Sequence, residues 1–203
     1  MTRQLIYVVG PSGAGKDSVL MRLRETWDTA DTVCWARRTV TRDVQPGGEA
    51  NESVSASDFK RLLDQQAFAL HWQANGLFYG IRQRELSPLT KGQCVFVNGS
   101  RGHLDRLLAA FPQASVVHIT ASPEVLRERL KLRQRESEQD IDRRLARNVN
   151  MALPKNTLLI QNDSSLDAAV QTLRLGLKAR LFANWQSLPA TRAVRLEAQP
   201  PDV

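Results

Sequence analysis

Two cysteines, Cys34 and Cys94, and three histidines stand in 203 residues. Two thiols cannot staple a chain of this length, which excludes a disulfide-built scaffold, and both are expected reduced in the cytoplasm. His71, His103 and His118 are scattered and share no metal-ligand spacing, so no histidine-built metal centre is expected and all three read as structural. No apolar run approaches the roughly 20 residues that a bilayer-crossing helix needs. The early run "LIYVV" leads into a glycine loop and not into a small-residue cleavage site, so neither a signal peptide nor a membrane partner is expected. Internal repeats are also missing, which excludes a solenoid.

Apolar residues make up 42% of the chain, enough for a folded domain with its own core. The net charge is +7, which favours anionic partners. Aromatics are only 6% and do not interleave with the basic residues along one face, so the charge points to small polyphosphates and not to nucleic acid. A homo-oligomer is left open.

Short apolar runs alternate with helical patterns. "QLIYVV" (4–9) leads to a helix from about Gly15 to Trp27, and "QCVFVN" (93–98) to one around "HLDRLLAAF". "SVVHIT" (115–120) leads to "SPEVLRERLKLR", where Ser122 is placed to cap and Pro123 to open the helix. "TLLIQN" (157–162) precedes a last long helix. Fully apolar strands alternating with helices imply an α/β fold with a parallel sheet covered on both faces. Between Thr39 and Gly80 the pattern changes to loop, short helix and a hairpin about Asn75-Gly76, which reads as an inserted α+β lobe. Residues 129–148 are polar and dense in arginine, and the tail after about Phe182 has no periodicity.

The segment "GPSGAGKDS" sits between the first strand and the first helix. Gly10, Pro11, Ser12, Gly13, Ala14 and Gly15 form a loop whose N–H groups can point at phosphate oxygens, and Lys16 can reach the β and γ phosphates of a nucleoside triphosphate. The next residue is Asp17, where this motif usually has a hydroxyl that meets magnesium. A carboxylate beside a triphosphate is repulsive unless a cation intervenes or it points away. Asp17 and Ser18 are therefore candidates for magnesium, with helix N-terminal charge as the other reading of Asp17.

"GPSGAGK", "TVTRDVQPGGE", "NGLFYG" and "RERLKLRQRESEQDIDRRLARN" together resemble the guanylate kinase superfamily, over about residues 4–178. The resemblance implies a P-loop core (1–37 and 81–182), an inserted acceptor lobe (38–80) and a lid (about 129–148), while the aperiodic tail (183–203) is expected to be weakly ordered. It fails at guanine recognition. Leu70 and His71 stand near the family's base-reading Glu, Asn98 stands near its strand-end Asp, and Gln45 replaces an arginine. A base-reading site loses heavily when its polar groups are exchanged, so GMP is not the expected acceptor.

"GPSGAGKDS", "RRTVTRD", "HWQANGLFYG" and "VFVNGSRGHL" are more narrowly similar to the ribose 1,5-bisphosphate phosphokinases of phosphonate breakdown. The "GKDS" spelling is typical of that family. The resemblance implies ATP as donor, Mg2+ as cofactor, and ribose 1,5-bisphosphate as acceptor, giving 5-phosphoribosyl 1-diphosphate. Another small-molecule or nucleoside monophosphate kinase of the superfamily is the alternative. Arg38 and Arg42 align with the acceptor-phosphate segment, and Arg101 follows a strand end where α/β sheets bind ligands. Arg129, Arg133 and Arg144 match lid arginines, the last two as catalytic groups beside Lys16. Asn75, Gly76, Tyr79 and Asn98 are candidates for the ribose and the 5-phosphate, with core packing an equal reading of Tyr79. Asn162 resembles the position near adenine.

Overall fold

The structure, a computed structural model, describes residues 4–27, 32–42, 51–132, 138–146 and 152–181. Its first sheet joins β1 (Gln4–Val9), β2 (Val33–Trp35), β7 (Cys94–Asn98), β8 (Ser115–Thr120) and β9 (Leu158–Gln161) in the order β2-β7-β1-β8-β9, with every pair parallel. A second sheet, in the order β4-β3-β6-β5, holds β3 (Arg38–Val40), β4 (Glu52–Ser53), β5 (Phe68–Ala74) and β6 (Leu77–Arg82). The helices are α1 (Lys16–Glu25), α2 (Ala56–Asp64), α3 (Gln83–Leu86), α4 (Leu104–Ala110), α5 (Pro123–Leu132), α6 (Glu138–Ala146) and α7 (Leu166–Leu181).

The alternation of β1 explains the layers. Successive strand residues face opposite sides. Ile6 and Val8 pack with Val19 and Leu23 of α1 and with Leu173 and Leu177 of α7. Leu5, Tyr7 and Val9 pack with Leu104 and Leu107 of α4, and this apolar cluster continues into the second sheet through Val40, Trp72, Tyr79 and Ile81. One face of the core sheet thus carries the phosphate loop's helix, while the other seats the second sheet.

Local chemistry sets the element ends. Ser55 caps α2 by accepting from the Asp58 N–H at 3.0 Å. Ser122 accepts from the Val125 N–H at 3.4 Å ahead of α5. Asn75 and Gly76 both have positive φ, 51° and 76°, which closes β5 onto β6 in a two-residue turn. In the second sheet, Glu52 takes hydrogen bonds from Thr39 Oγ1 and Arg82 Nη2, both at 2.8 Å. Those bonds tie β3, β4 and β6 together next to Arg38.

Two features lie outside the sequence expectations. The first helix begins at Lys16 and ends at Glu25, shorter at both ends, because Gly15 takes a left-handed conformation and caps it. The edge strand β2, Val33-Cys34-Trp35, is only three residues long, too short for its apolar residues to announce a core strand.

Candidate active site

The loop after β1 wraps on itself. Gly10, Gly13 and Gly15 all have positive φ. A Cβ on Gly10 would lie 1.9 Å from the Ile119 carbonyl oxygen, and one on Gly15 would lie 2.6 Å from Asn162 Nδ2. Glycine is required at both places by the closeness of the neighbouring strands. Lys16 lies back over the loop, its Nζ donating to the Gly10 and Pro11 carbonyls at 2.9 and 3.1 Å.

Asn162 is 4% exposed, and its Nδ2 donates to the Ala14 carbonyl at 2.8 Å. It lies beneath the loop as a brace, a place that the strand end "IQN" alone does not disclose. Arg129 reaches the same corner, with Nη1 3.9 Å from where a Gly15 Cβ would be. That nitrogen is buried and makes no hydrogen bond among the described residues, a donor held ready for an anion.

Asp17 turns to the sheet. Its Oδ1 accepts from Asn98 Nδ2 at 2.7 Å, and Arg38 Nη2 lies 3.7 Å from Oδ2. Burial opposes the carboxylate charge. Arg38, then the Asn98 amide, Lys16 and Arg42 outweigh that, so the carboxyl sits below its ordinary range. Arg38 is 8% exposed and lies 5.8 Å from the Tyr79 ring centre, while Tyr79 stacks on Trp72. Tyr79 is thus a packing residue that also walls in the Arg38 guanidinium. Ser18 is exposed on the next position of α1.

Beyond β7, Tyr7 accepts from the Ser100 N–H at 3.0 Å and anchors the turn that carries Arg101. Burial pushes the Tyr7 phenol up to about 12. Burial also lowers the Arg101 guanidinium. On β8, burial, then Arg101, then Lys16 hold the His118 imidazole down at about 4. The loop is therefore ringed by Arg38 and Arg42 on the Asp17 side, Arg101 on the His118 side, and Arg129 near Gly15.

Asn75 and Gly76 form an exposed hairpin tip, and no described atom lies within 4 Å of a Gly76 Cβ. Arg133 lies outside the described residues, as do residues 183–203 of the tail. Arg144 falls on α6, which α5 holds through Arg127–Asp142 and a 2.7 Å Lys131–Glu138 pair. Sequence reasoning did not single out Arg24, Trp35, Arg37 or Glu85, which line a cavity beside Asp17 and Asn98. The available signal was helical: Asp17, Leu20, Met21 and Arg24 share one face of α1.

A glycine loop between a parallel strand and a helix, with its lysine and a surround of arginines, defines a P-loop phosphotransferase. The chain belongs to the guanylate kinase family, whose model matches residues 2–180. It is 41% identical to "Ribose 1,5-bisphosphate phosphokinase PhnN" of Azotobacter vinelandii, over 90% of this chain and all of that protein. It is 42% identical to the protein of the same name from Pseudomonas paraeruginosa, over 85% of this chain and 94% of that one. In fold it is similar to guanylate kinase from Anaplasma phagocytophilum, with a TM-score of 0.58 at 18% identity, covering 88% of this chain and 95% of that one.

Proposed function

We propose that the protein moves the γ-phosphoryl group of ATP to the 1-phosphate of ribose 1,5-bisphosphate. An oxygen of the 1-phosphate attacks the γ phosphorus, the bond from that phosphorus to the β-phosphate oxygen breaks, and ADP leaves. The product is 5-phosphoribosyl 1-diphosphate, which places the enzyme in phosphonate breakdown. The attacking oxygen is already ionised at neutral pH, so no residue need remove a proton. The observation that carries the reading is Asn98, at the place of the family's strand-end Asp, bonded to Asp17 with Arg38 alongside. Relatives of the same name at about 40% identity over most of the chain support it.

Catalysis then rests on placing two anionic groups together and cancelling their charge. Lys16 lies at the donor phosphates and Arg129 beside them. Arg38, Arg42 and Arg101 serve the acceptor, since a guanidinium grips phosphate oxygens in pairs. Asn98 orients the acceptor. Arg133 and Arg144 are proposed to close over the transferring group from the lid.

Among the described residues no group of three acidic, histidine or cysteine side chains could hold a metal. The residues fit an Mg2+ that arrives on the triphosphate, which is how this ion commonly binds. The exposed Ser18 would meet it through its waters, while both oxygens of Asp17 face Asn98 and Arg38. When bound, the ion would neutralise charge on the β and γ phosphates.

The test is an acceptor panel with ATP and magnesium, followed by ADP release. Ribose 1,5-bisphosphate is expected to be the good acceptor and GMP a poor one. Faster turnover of GMP would replace this reading with a nucleoside monophosphate kinase.

A further inference from the structure

A cavity of about 300 Å³ opens beside Asp17 and Asn98. One wall is the face of α1 with Leu20, Met21 and Arg24. The opposite wall is Trp35, Ala36 and Arg37, where the chain leaves β2, joined by Glu85 of α3. Asp17 and Arg24 stand seven positions apart on the helix, which is about 10 Å at 1.5 Å per residue. The cavity is therefore long, with the Asp17–Arg38 pair at one end and Arg24 at the other.

Its lining is chemically graded. Among the described residues, no carboxylate pairs with the guanidinium of Arg24 or Arg37. Glu85 is held in place, accepting the Arg37 N–H at 2.9 Å. Trp35 lies flat on Phe96, ring centres 4.4 Å apart, and presents an apolar wall. Unpaired guanidiniums suit a phosphate, a fixed carboxylate and an amide suit hydroxyls, and an indole suits the apolar face of a sugar ring.

We propose that this cavity seats the pentose of the acceptor and that Arg24 and Arg37 hold the phosphate at the end remote from the reacting one. The proposal rests on the function argued above and adds the residues that select a doubly phosphorylated acceptor. The cations near Asp17 serve the reacting phosphate. A distal phosphate, carried across the ring, needs positive charge further along α1, where Arg24 stands.

The experiment compares wild type with Arg24→Gln, Arg37→Gln and the double variant, each first checked for an unchanged melting curve. The KM for ribose 1,5-bisphosphate is expected to rise at least tenfold in the double variant, while the KM for ATP stays within twofold. Lysine at both positions should restore part of the loss. An unchanged acceptor KM, or an ATP KM that rises in step with it, overturns the proposal. Ribose 5-phosphate, which carries only the distal phosphate, gives a readout independent of turnover. Its dissociation constant, measured calorimetrically without ATP, should also rise tenfold or more in the double variant. If wild type fails to phosphorylate ribose 1,5-bisphosphate, the proposed function fails. The subsite is then judged on this binding alone, and equal binding by wild type and double variant, including none by either, overturns it.

Discussion

Asn98 Nδ2 donates to Asp17 Oδ1 at 2.7 Å, joining the end of β7 to the first turn of α1. The other carboxylate oxygen lies 3.7 Å from Arg38 Nη2. A residue at the position of a magnesium-binding hydroxyl thus spends both oxygens on groups of the acceptor side. In this arrangement Asp17 positions Arg38 and Asn98.

Asp17→Asn keeps the size of the side chain and removes the charge that holds Arg38. The KM for acceptor should rise about tenfold, the equivalent of one lost charge-assisted contact of about 1.4 kcal/mol. The KM for ATP and the midpoint of a magnesium titration should stay near wild type. Recovery of the lost rate at high magnesium would instead return Asp17 to a metal role.

Lys16→Ala should abolish transfer and leave the fold intact. Removal of one donor aimed at developing charge costs roughly 10²–10³ in turnover. The two part-buried carbonyl bonds that Lys16 makes can be replaced by water when its side chain is removed, so the fold survives. Turnover near normal, with an unchanged melting curve, would show that the loop does not hold the triphosphate.

Much of the core was readable because its strands are apolar and its helices capped. "QLIYVV" is β1, and Ser122-Pro123 opens α5 as expected. The hairpin at Asn75-Gly76 is where the dipeptide put it, since few residue pairs accept two positive φ values. The edge strand β2 was hidden because three residues carry no period, and pairing with β7 supplies what their pattern does not. At the site, the loop and the arginines were legible as types. Their partners were not. That Asn162 braces Ala14 and that Asp17 faces Asn98 are contacts across 148 and 81 residues, and no local signal encodes them.

The brace gives the next expectation. Asn162→Ala removes the donor to a buried carbonyl, which should cost about 1–3 kcal/mol of stability. It also frees the Ala14 peptide, so ATP affinity should fall while the acceptor KM changes little. Gly15→Ala is expected to be worse, because its Cβ would meet the same amide at 2.6 Å with φ at +78°. Urea melts and ATP titrations of the two variants check the order. Equal ATP affinity in Asn162→Ala and wild type would show that the loop keeps its shape unaided.

His118 provides the pH test. It lies on β8 between Val9 and Leu159 of the neighbouring strands, and its Nε2 is buried without a hydrogen bond among the described residues. Burial, Arg101 and Lys16 lower its value from 6.5 to about 4. The unfolded chain therefore takes up a proton between these two values that the folded chain refuses. Stability linked to His118 is complete above about pH 6.5, falls as the pH drops towards 4, and is level below that. Gln at this position stays neutral throughout. The melting temperature of wild type should therefore drop faster than that of His118→Gln over this window, while contributions from the carboxylates cancel between the two proteins. Phosphates bound at Lys16 act in the opposite sense, since their negative charge offsets the two cations. With ATP present the His118-linked loss should become smaller and level off at a higher pH, and an imidazole resonance followed by NMR should titrate at that higher pH as well. Parallel melting curves for the two proteins from pH 7 to pH 4 would mean that His118 is not held neutral by the site.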